Sequence, residues 1–231
     1  MNKLAVMQPY FFPYLGYFQL VRAADTFVFY DDVNFIKNGW INRNRILIDG
    51  APHYLTVQLK NASSFSPINR VEFTDNRGKL LKTIQQAYQK APFFGQAWPV
   101  VEDCLRSDTT LIGELAMRSV TKVSHYLGID TSFQASSSHA AATKGLEKTG
   151  RLVEICRLNG ATDYINPIGG RSLYRKEDFA GNGIRLSFIR SKDVRYRQNC
   201  PQFVPDLSII DVIMFNSREA IGRMLNEHEL I

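Results

Sequence analysis

The first 45 residues of the chain carry three short segments whose side chains could bind and transform a polar ligand. Residues 8–17 read QPYFFPYLGY, residues 30–32 read YDD and residues 40–45 read WINRNR. A carboxylate can act as a general base, an arginine can grip a phosphate with two parallel hydrogen bonds, and an exposed ring can stack on a flat ligand. The three segments together favour a site for a phosphorylated ligand such as a nucleotide sugar.

Four residues are candidates for catalysis. Asp31 and Asp32 follow a predicted strand, where one of them could serve as a general base or bind Mg²⁺ or a substrate amine. The structural alternative is a helix cap or a salt bridge to one of the arginines at 43 and 45. Gln8 is a candidate oxyanion donor. His53 is the histidine to test first, although a single histidine in a strand is more often structural.

Further residues are candidates for substrate binding. The hydroxyls of Tyr10, Tyr14 and Tyr17 need partners once they are buried, and a ligand could supply them, but the loop could also be a plug of the core. A late glycine-rich segment could hold an anion. The remaining candidates are the phosphate, stacking and oxyanion residues of the third segment and of this late segment: Trp40, Asn42, Arg43, Asn44, Arg45, Gly169, Gly170 and Tyr174.

The surrounding pattern predicts the elements that position these residues. Residues 4–7 and 26–30 read as strands and residues 14–24 as a helix, so the chain begins as strand, loop, helix and strand. Ligands of open α/β sheets bind at the carboxyl ends of strands. We therefore predict that Gln8, Tyr10, Asp31, Asp32, Asn42 and Arg43 line one cleft.

The rest of the pattern predicts an α/β fold with a Rossmann-like mixed or parallel sheet. Residues 45–48 and 53–57 read as a hairpin turning at Asp49-Gly50, and residues 69–73 as a further strand. Residues 79–128 are helical and form a lobe within a single domain over 1–231. Strands over 131–135, 163–165 and 184–189 enclose a helix over 145–158, and residues 208–226 form two helices that break near Asn216.

Composition excludes several classes of protein. The 231 residues are 45% hydrophobic and 22% charged, which is ordinary for a globular chain, and no stretch approaches the roughly 20 apolar residues of a membrane span. The apolar start is too short and too aromatic for a secretory signal, so we expect a cytoplasmic protein. Three isolated cysteines predict reduced thiols, and the four scattered histidines predict no metal site.

A net charge of +6 favours anionic partners, although the basic residues are dispersed. The densest basic cluster lies between residues 190 and 197 and is either a solvated face or a site for phosphate or a tRNA backbone. Ser208 and Asp211 have the spacing of a helix cap and its first-turn carboxylate, so they do not indicate a catalytic triad.

Residues 8–17, 25–35 and 40–45 resemble the WbqC-like family, bacterial proteins encoded among genes for O-antigen and other surface polysaccharides. Later segments also fit: APFF at residues 91–94, DYINPIGG at residues 163–170, and YRQ at residues 196–198 followed by LSIID at residues 207–211. The resemblance covers nearly the whole chain. It implies transfer of glycine to the amino group of a sugar during glycan synthesis.

A fainter resemblance links the first loop to nucleotidylyltransferases and pantothenate synthetases, which carry two histidines at the positions of Tyr14 and Tyr17. Two classes of function remain open. The first is an enzyme that N-acylates an amino-sugar nucleotide with glycine, activated through ATP and Mg²⁺ or as glycyl-tRNA. The second is a non-catalytic protein that binds a nucleotide sugar or scaffolds the enzymes of the same pathway.

Overall fold

The computed structural model describes residues 2–231, and within them a six-stranded sheet forms the centre of the fold. Its spatial order is β5-β2-β1-β6-β7-β8, with every neighbouring pair parallel except β7 and β8. The strands are Lys3–Met7 (β1), Thr26–Phe29 (β2), Arg43–Ile48 (β3), Ala51–Thr56 (β4), Ser132–Ala135 (β5), Asp163–Pro167 (β6), Arg185–Ser191 (β7) and His228–Leu230 (β8). The prediction of a Rossmann-like α/β fold is confirmed.

Helices flank the sheet on both faces. They are Leu15–Ala23 (α1), Arg77–Tyr88 (α2), Phe94–Leu105 (α3), Ile112–Tyr126 (α4), Ser136–His139 (α5), Lys148–Leu158 (α6), Lys176–Ala180 (α7), Ile209–Phe215 (α8) and Arg218–Met224 (α9). None of the helices in the described part of the chain has the length and apolar character needed to cross a bilayer.

Alternating side chains of the central strands explain why both faces are covered. Leu4 and Val6 of β1 point into a cluster that contains α6 and α7, whereas Ala5 points into a larger cluster with α1, α2, α3, α4 and α8. Both faces of β1 are therefore apolar, which is why its sequence reads as a continuous apolar run rather than an alternating one.

The second sheet is the predicted hairpin of β3 and β4. Its turn is Asp49-Gly50, with φ angles of 50° and 78°, as a tight hairpin turn requires. The hairpin is confirmed, and so are the two helices of the tail, which separate near Asn216.

The predicted strand over residues 69–73 is wrong. A 3-10 turn occupies Ile68–Arg70, and the segment makes only isolated bridges, from Phe73 to Leu59 and from Glu72 to Leu111. Its apolar side chains are buried all the same, because a short buried run satisfies the same hydrophobic pattern in either conformation. Sequence reasoning also missed β8, a three-residue strand whose pairing depends on β7.

Candidate functional site

A cleft of about 660 Å³ opens where the strand order reverses. The chain moves outward from β1 through β2 to β5, then returns to place β6 on the other side of β1. At such a switch point the loops after the two central strands diverge and leave a crevice at their carboxyl ends. Gln8 follows β1 there, Tyr30 follows β2, and Gly169 and Gly170 follow β6. A cleft therefore lies at the strand ends where the sequence predicted a site, and it is the candidate site of this protein.

Tyrosines and amides supply the polar groups of this cleft. Tyr30, Tyr164 and Tyr174 line it together with Asn34 and Asn166. Burial raises the pKa of all three tyrosines, so their hydroxyls stay protonated and can donate hydrogen bonds at neutral pH. The other lining residues are mostly aliphatic: Val6, Met7, Val33, Ile36, Leu152 and Leu173, with Lys148 and Pro167.

One corner of the cleft is held by Asn166, whose side-chain amide donates to the Tyr164 hydroxyl at 2.8 Å. Tyr164 in turn stacks on Phe179, with ring centroids 5.2 Å apart. The Oδ1 atom of Asn166 lies so close to Gly170 that an added Cβ would stand 2.0 Å from it. The φ angle of Gly170 is not in the left-handed region, so its backbone conformation does not require glycine. Glycine is needed at this position because a side chain would collide with Asn166.

We expect Gly170→Ala to destabilise the protein by about 1 to 3 kcal/mol, because Asn166 must leave its position and give up its bond to Tyr164. Urea denaturation measures the effect. Gly169→Ala is the matched control, since a Cβ on Gly169 meets no atom within 4 Å. Equal effects of the two substitutions would contradict this account of the corner.

Asp31 is engaged by the start of α5. Its carboxylate accepts from the backbone N–H of Ser137 at 2.9 Å and from the Ser137 hydroxyl at 2.6 Å. The Ser136 hydroxyl lies 3.0 Å away, and only 2% of Asp31 is exposed. The helix-cap alternative therefore describes Asp31, and its carboxylate lies outside the cleft lining.

Asp32 forms a buried ion pair with Arg151 of α6, at 2.6 Å. The Arg151 guanidinium also donates to Thr143 at 3.1 Å and lies 4.6 Å from the ring centroid of Tyr30. The predicted salt-bridge alternative is right in kind but wrong in partner, because neither Arg43 nor Arg45 contacts this carboxylate. The ion pair therefore contacts Tyr30, which lines the cleft.

The aromatic loop after β1 has a structural role, because several of its aromatic side chains are buried and its backbone bonds to other parts of the protein. Phe11, Phe12 and Tyr17 are at most 2% exposed, and the Tyr17 hydroxyl donates to the Gln8 carbonyl at 2.8 Å. Phe12 has a φ of 40°, which costs about 1 to 3 kcal/mol in a bulky residue. Its N–H donates to Ser119, and its carbonyl accepts from Asn44 and Ser208. These bonds and the burial offset the strain.

The other two tyrosines of the loop also lie outside the cleft. Tyr10 packs against Tyr17 with ring centroids 5.6 Å apart, and burial raises its pKa to about 12, with a smaller effect from Tyr14. Tyr14 precedes α1 and lines a separate small cavity of about 110 Å³ beside Tyr196. Of the six residues predicted to line one cleft, only Gln8 is in its lining.

The residues of the third segment lie on and around the hairpin. The Asn42 side chain donates to the Val57 carbonyl, and Arg45 donates to the Pro205 carbonyl at 3.1 Å. Asn44 is 2% exposed and holds the aromatic loop as described above. His53 is exposed on β4. All of these residues therefore lie outside the cleft lining, which corrects the predicted placement of Asn42.

Two more residues of that segment stand around Tyr54. Arg43 lies 4.5 Å from its ring centroid, and Trp40 lies 6.4 Å from it, with the two rings inclined by 31°. Arg43 lines a depression beside the hairpin rather than the cleft, which corrects its predicted placement.

Sequence reasoning found Gln8, Gly169, Gly170 and Tyr174 of the cleft and missed its other polar residues. Tyr30 precedes the two aspartates but was not a site candidate, and residues 164–166 were interpreted as part of a strand and of a family motif without being assigned to a site. A signal did exist, because Tyr164 and Asn166 alternate on β6 and so share one face of a strand at the switch point. Lys148 opens α6, where nothing in the sequence distinguishes it from a solvated residue.

Within residues 2–231 no group of three or more His, Cys, Asp or Glu side chains is placed to hold a metal ion. The basic cluster near residue 190 is largely neutralised by carboxylates. Arg190 pairs with Glu229, Lys192 with Glu227, and Arg195 with Asp193. The solvated-face interpretation therefore describes these three cations.

The fold and the cleft define a Rossmann-like α/β protein with a candidate site at its switch point. The model of the WbqC-like protein family matches residues 8–223, so the chain belongs to that family. It is also 29% identical to the uncharacterized protein Rv1507c of Mycobacterium tuberculosis over 226 residues, which cover 95% of this chain and 96% of that protein. No solved structure matches the chain.

Proposed function

We propose that this protein binds an amino-sugar nucleotide in the switch-point cleft and transfers an activated acyl group to its amine. The family resemblance supports glycine as the acyl group and surface-polysaccharide synthesis as the setting. The observation that carries the proposal is the cleft itself, whose volume of about 660 Å³ is in the range of small-molecule sites.

The lining of the cleft suits the parts of such a substrate. Tyrosine hydroxyls and side-chain amides can bond to sugar hydroxyls in either direction, and the aliphatic residues can cover the face of a base. Lys148 supplies a cation for the diphosphate, and the Gly169-Gly170 turn lets a ligand approach the backbone closely. This lining favours a ligand with a hydroxyl-rich sugar, a base with an apolar face and an anionic diphosphate.

The proposed reaction is aminolysis of an activated acyl group. The amine nitrogen attacks the acyl carbon, a C–N bond forms, the C–O bond to the leaving group breaks, and the amine proton passes to the leaving oxygen or to water. The cleft needs to orient the amine and to donate hydrogen bonds to the tetrahedral oxygen. The Gln8 amide and the Tyr30 and Tyr174 hydroxyls are the lining groups that we assign as these donors.

The proposed reaction also needs a general base to accept the amine proton, and neither candidate aspartate is free to do so. The carboxylates of Asp31 and Asp32 are already occupied by hydrogen bonds and by Arg151, so they are poorly placed to take a substrate proton. This observation favours a second candidate function, in which the same cleft binds a nucleotide sugar without catalysis.

Measurements of binding and of turnover distinguish the two candidate functions. Tyr174→Ala and Lys148→Ala are each expected to weaken binding of an amino-sugar nucleotide about 10-fold in calorimetry, because each removes a polar contact worth about 1.5 kcal/mol. Lys82→Ala, which removes an exposed lysine from α2, is the control and should bind normally.

The reaction is tested by mass spectrometry after incubation with amino-sugar nucleotides and either glycine, ATP and Mg²⁺ or glycyl-tRNA. A glycyl mass increment that Tyr174→Ala reduces supports the transferase. Binding without an increment from any donor leaves the non-catalytic function, and absence of binding contradicts both.

A further inference from the structure

Three planar side chains that the cleft does not use lie together at the hairpin, and one of them, Tyr54, is exposed. We define the hairpin face as Trp40, Arg43 and Tyr54. Tyr54 is 56% exposed, and its ring centroid lies 4.5 Å from the Arg43 guanidinium and 6.4 Å from the centroid of the Trp40 ring, two side chains that are themselves half-buried. An exposed large aromatic residue in contact with an arginine offers a surface on which further planar groups can stack.

Positive charge around the hairpin face is not neutralised by its own side chains. Arg43 donates to the backbone carbonyls of Gly39 and Asn38, and neither Arg43 nor Lys37 forms a salt bridge within the described residues. Between residues 34 and 62 the sequence has four lysines and arginines and one aspartate, at the hairpin turn, and only Lys60 of these four cations forms a salt bridge within the described residues, with Glu72. Backbone carbonyls therefore fix the Arg43 guanidinium while leaving its charge available to an anion.

The hairpin face is linked to the cleft through Arg43, which lines a depression on the other side of one loop from the cleft. The loop of residues 33–38 divides the two, since Asn34 and Ile36 line the cleft while Lys37 and Asn38 line a depression of about 330 Å³ that Arg43 also lines. A ligand that stacks on Tyr54 and lies along this depression reaches the cleft by crossing one loop.

We propose that the hairpin face binds the single-stranded 3′ end of an RNA. Exposed rings that stack on bases, together with unpaired cations that contact phosphates, are the two components of single-strand recognition. This inference rests on the proposed function, in which the RNA carries the acyl group as a ribose ester. In the transfer, the ester C–O bond breaks, the amide C–N bond forms, and the amine proton passes to the ribose oxygen, so no further reactant is needed.

The test measures RNA binding without any turnover, by fluorescence anisotropy of a labelled single-stranded RNA of about 12 nucleotides. Tyr54→Ala and Arg43→Gln are each expected to weaken binding about 10-fold. Arg43→Gln should also reduce the slope of log K against log salt by about 1. The matched control is Arg195→Gln, because Arg195 also lies over a ring, that of Phe203, but pairs with Asp193.

Normal binding by Tyr54→Ala, or an equal loss in Arg195→Gln, would overturn the proposal. So would binding of ATP as tight as that of the RNA, or a preference for double-stranded RNA. Calorimetry of the amino-sugar nucleotide with Tyr54→Ala keeps the two proposals separate, because that variant should retain sugar-nucleotide binding whatever the outcome with RNA.

Discussion

Replacement of Arg151 by methionine is expected to lower the free energy of unfolding by about 3 to 5 kcal/mol, the largest single effect that we predict outside the apolar core. The reason is that Asp32 would remain buried with no cation. Both side chains of the pair are at most 6% exposed, so water cannot replace the lost partner. Urea denaturation at neutral pH measures the change.

Arg157→Met is the control for Arg151→Met. Arg157 lies on the same helix and pairs with Glu154 at 3.4 Å, but its side chain is 66% exposed, so the expected loss is under about 1 kcal/mol. The double variant Asp32→Asn with Arg151→Met should recover at least half of the loss, since it no longer buries an unpaired charge. A double variant as unstable as Arg151→Met alone would contradict this explanation.

Replacement of Asp211 by asparagine is expected to change how stability depends on pH. Asp211 is fully buried in α8, where it accepts hydrogen bonds from the hydroxyls of Tyr88 at 2.8 Å and Tyr196 at 2.9 Å. Burial raises its pKa from 3.8 to about 6, and the two hydroxyl bonds oppose the rise only in part.

The direction of the effect follows from proton linkage. A carboxyl whose pKa is higher in the folded state binds its proton more tightly there, so its contribution to stability is complete below about pH 4. It is lost as the pH rises to about 6, a loss of about 2 to 3 kcal/mol. Asp211→Asn should therefore gain stability relative to the natural protein between pH 4 and 7.

Thermal or urea unfolding of both proteins across this pH range measures the difference. Asp130→Asn, which removes an exposed carboxylate, is the control for loss of one negative charge. If the gap between Asp211→Asn and the natural protein stays constant from pH 4 to 7, Asp211 does not titrate as described.

Several features of this protein were determined by local sequence. The apolar run of β1, the apolar spacing of α1 and the Asp49-Gly50 turn each specify their structure through interactions within a few residues, and all three were predicted. Ser208 caps α8 by accepting from the N–H of Ile210, as its spacing indicated. The family was also recognisable, because its motifs are contiguous stretches of sequence.

Only the tertiary structure decided which side chains meet. Asp32 pairs with Arg151, 119 positions away, and Asp211 meets Tyr88 from a distant helix. The cleft draws its residues from the ends of several strands, so membership depends on the order β2-β1-β6. A motif fixes residue types and local conformation, but it does not fix whether a polar side chain is bonded to the protein or left free for a ligand. That depends on long-range packing, which placed Asp31 and Asn44 in structural bonds and left Tyr174 and Gln8 facing the cleft.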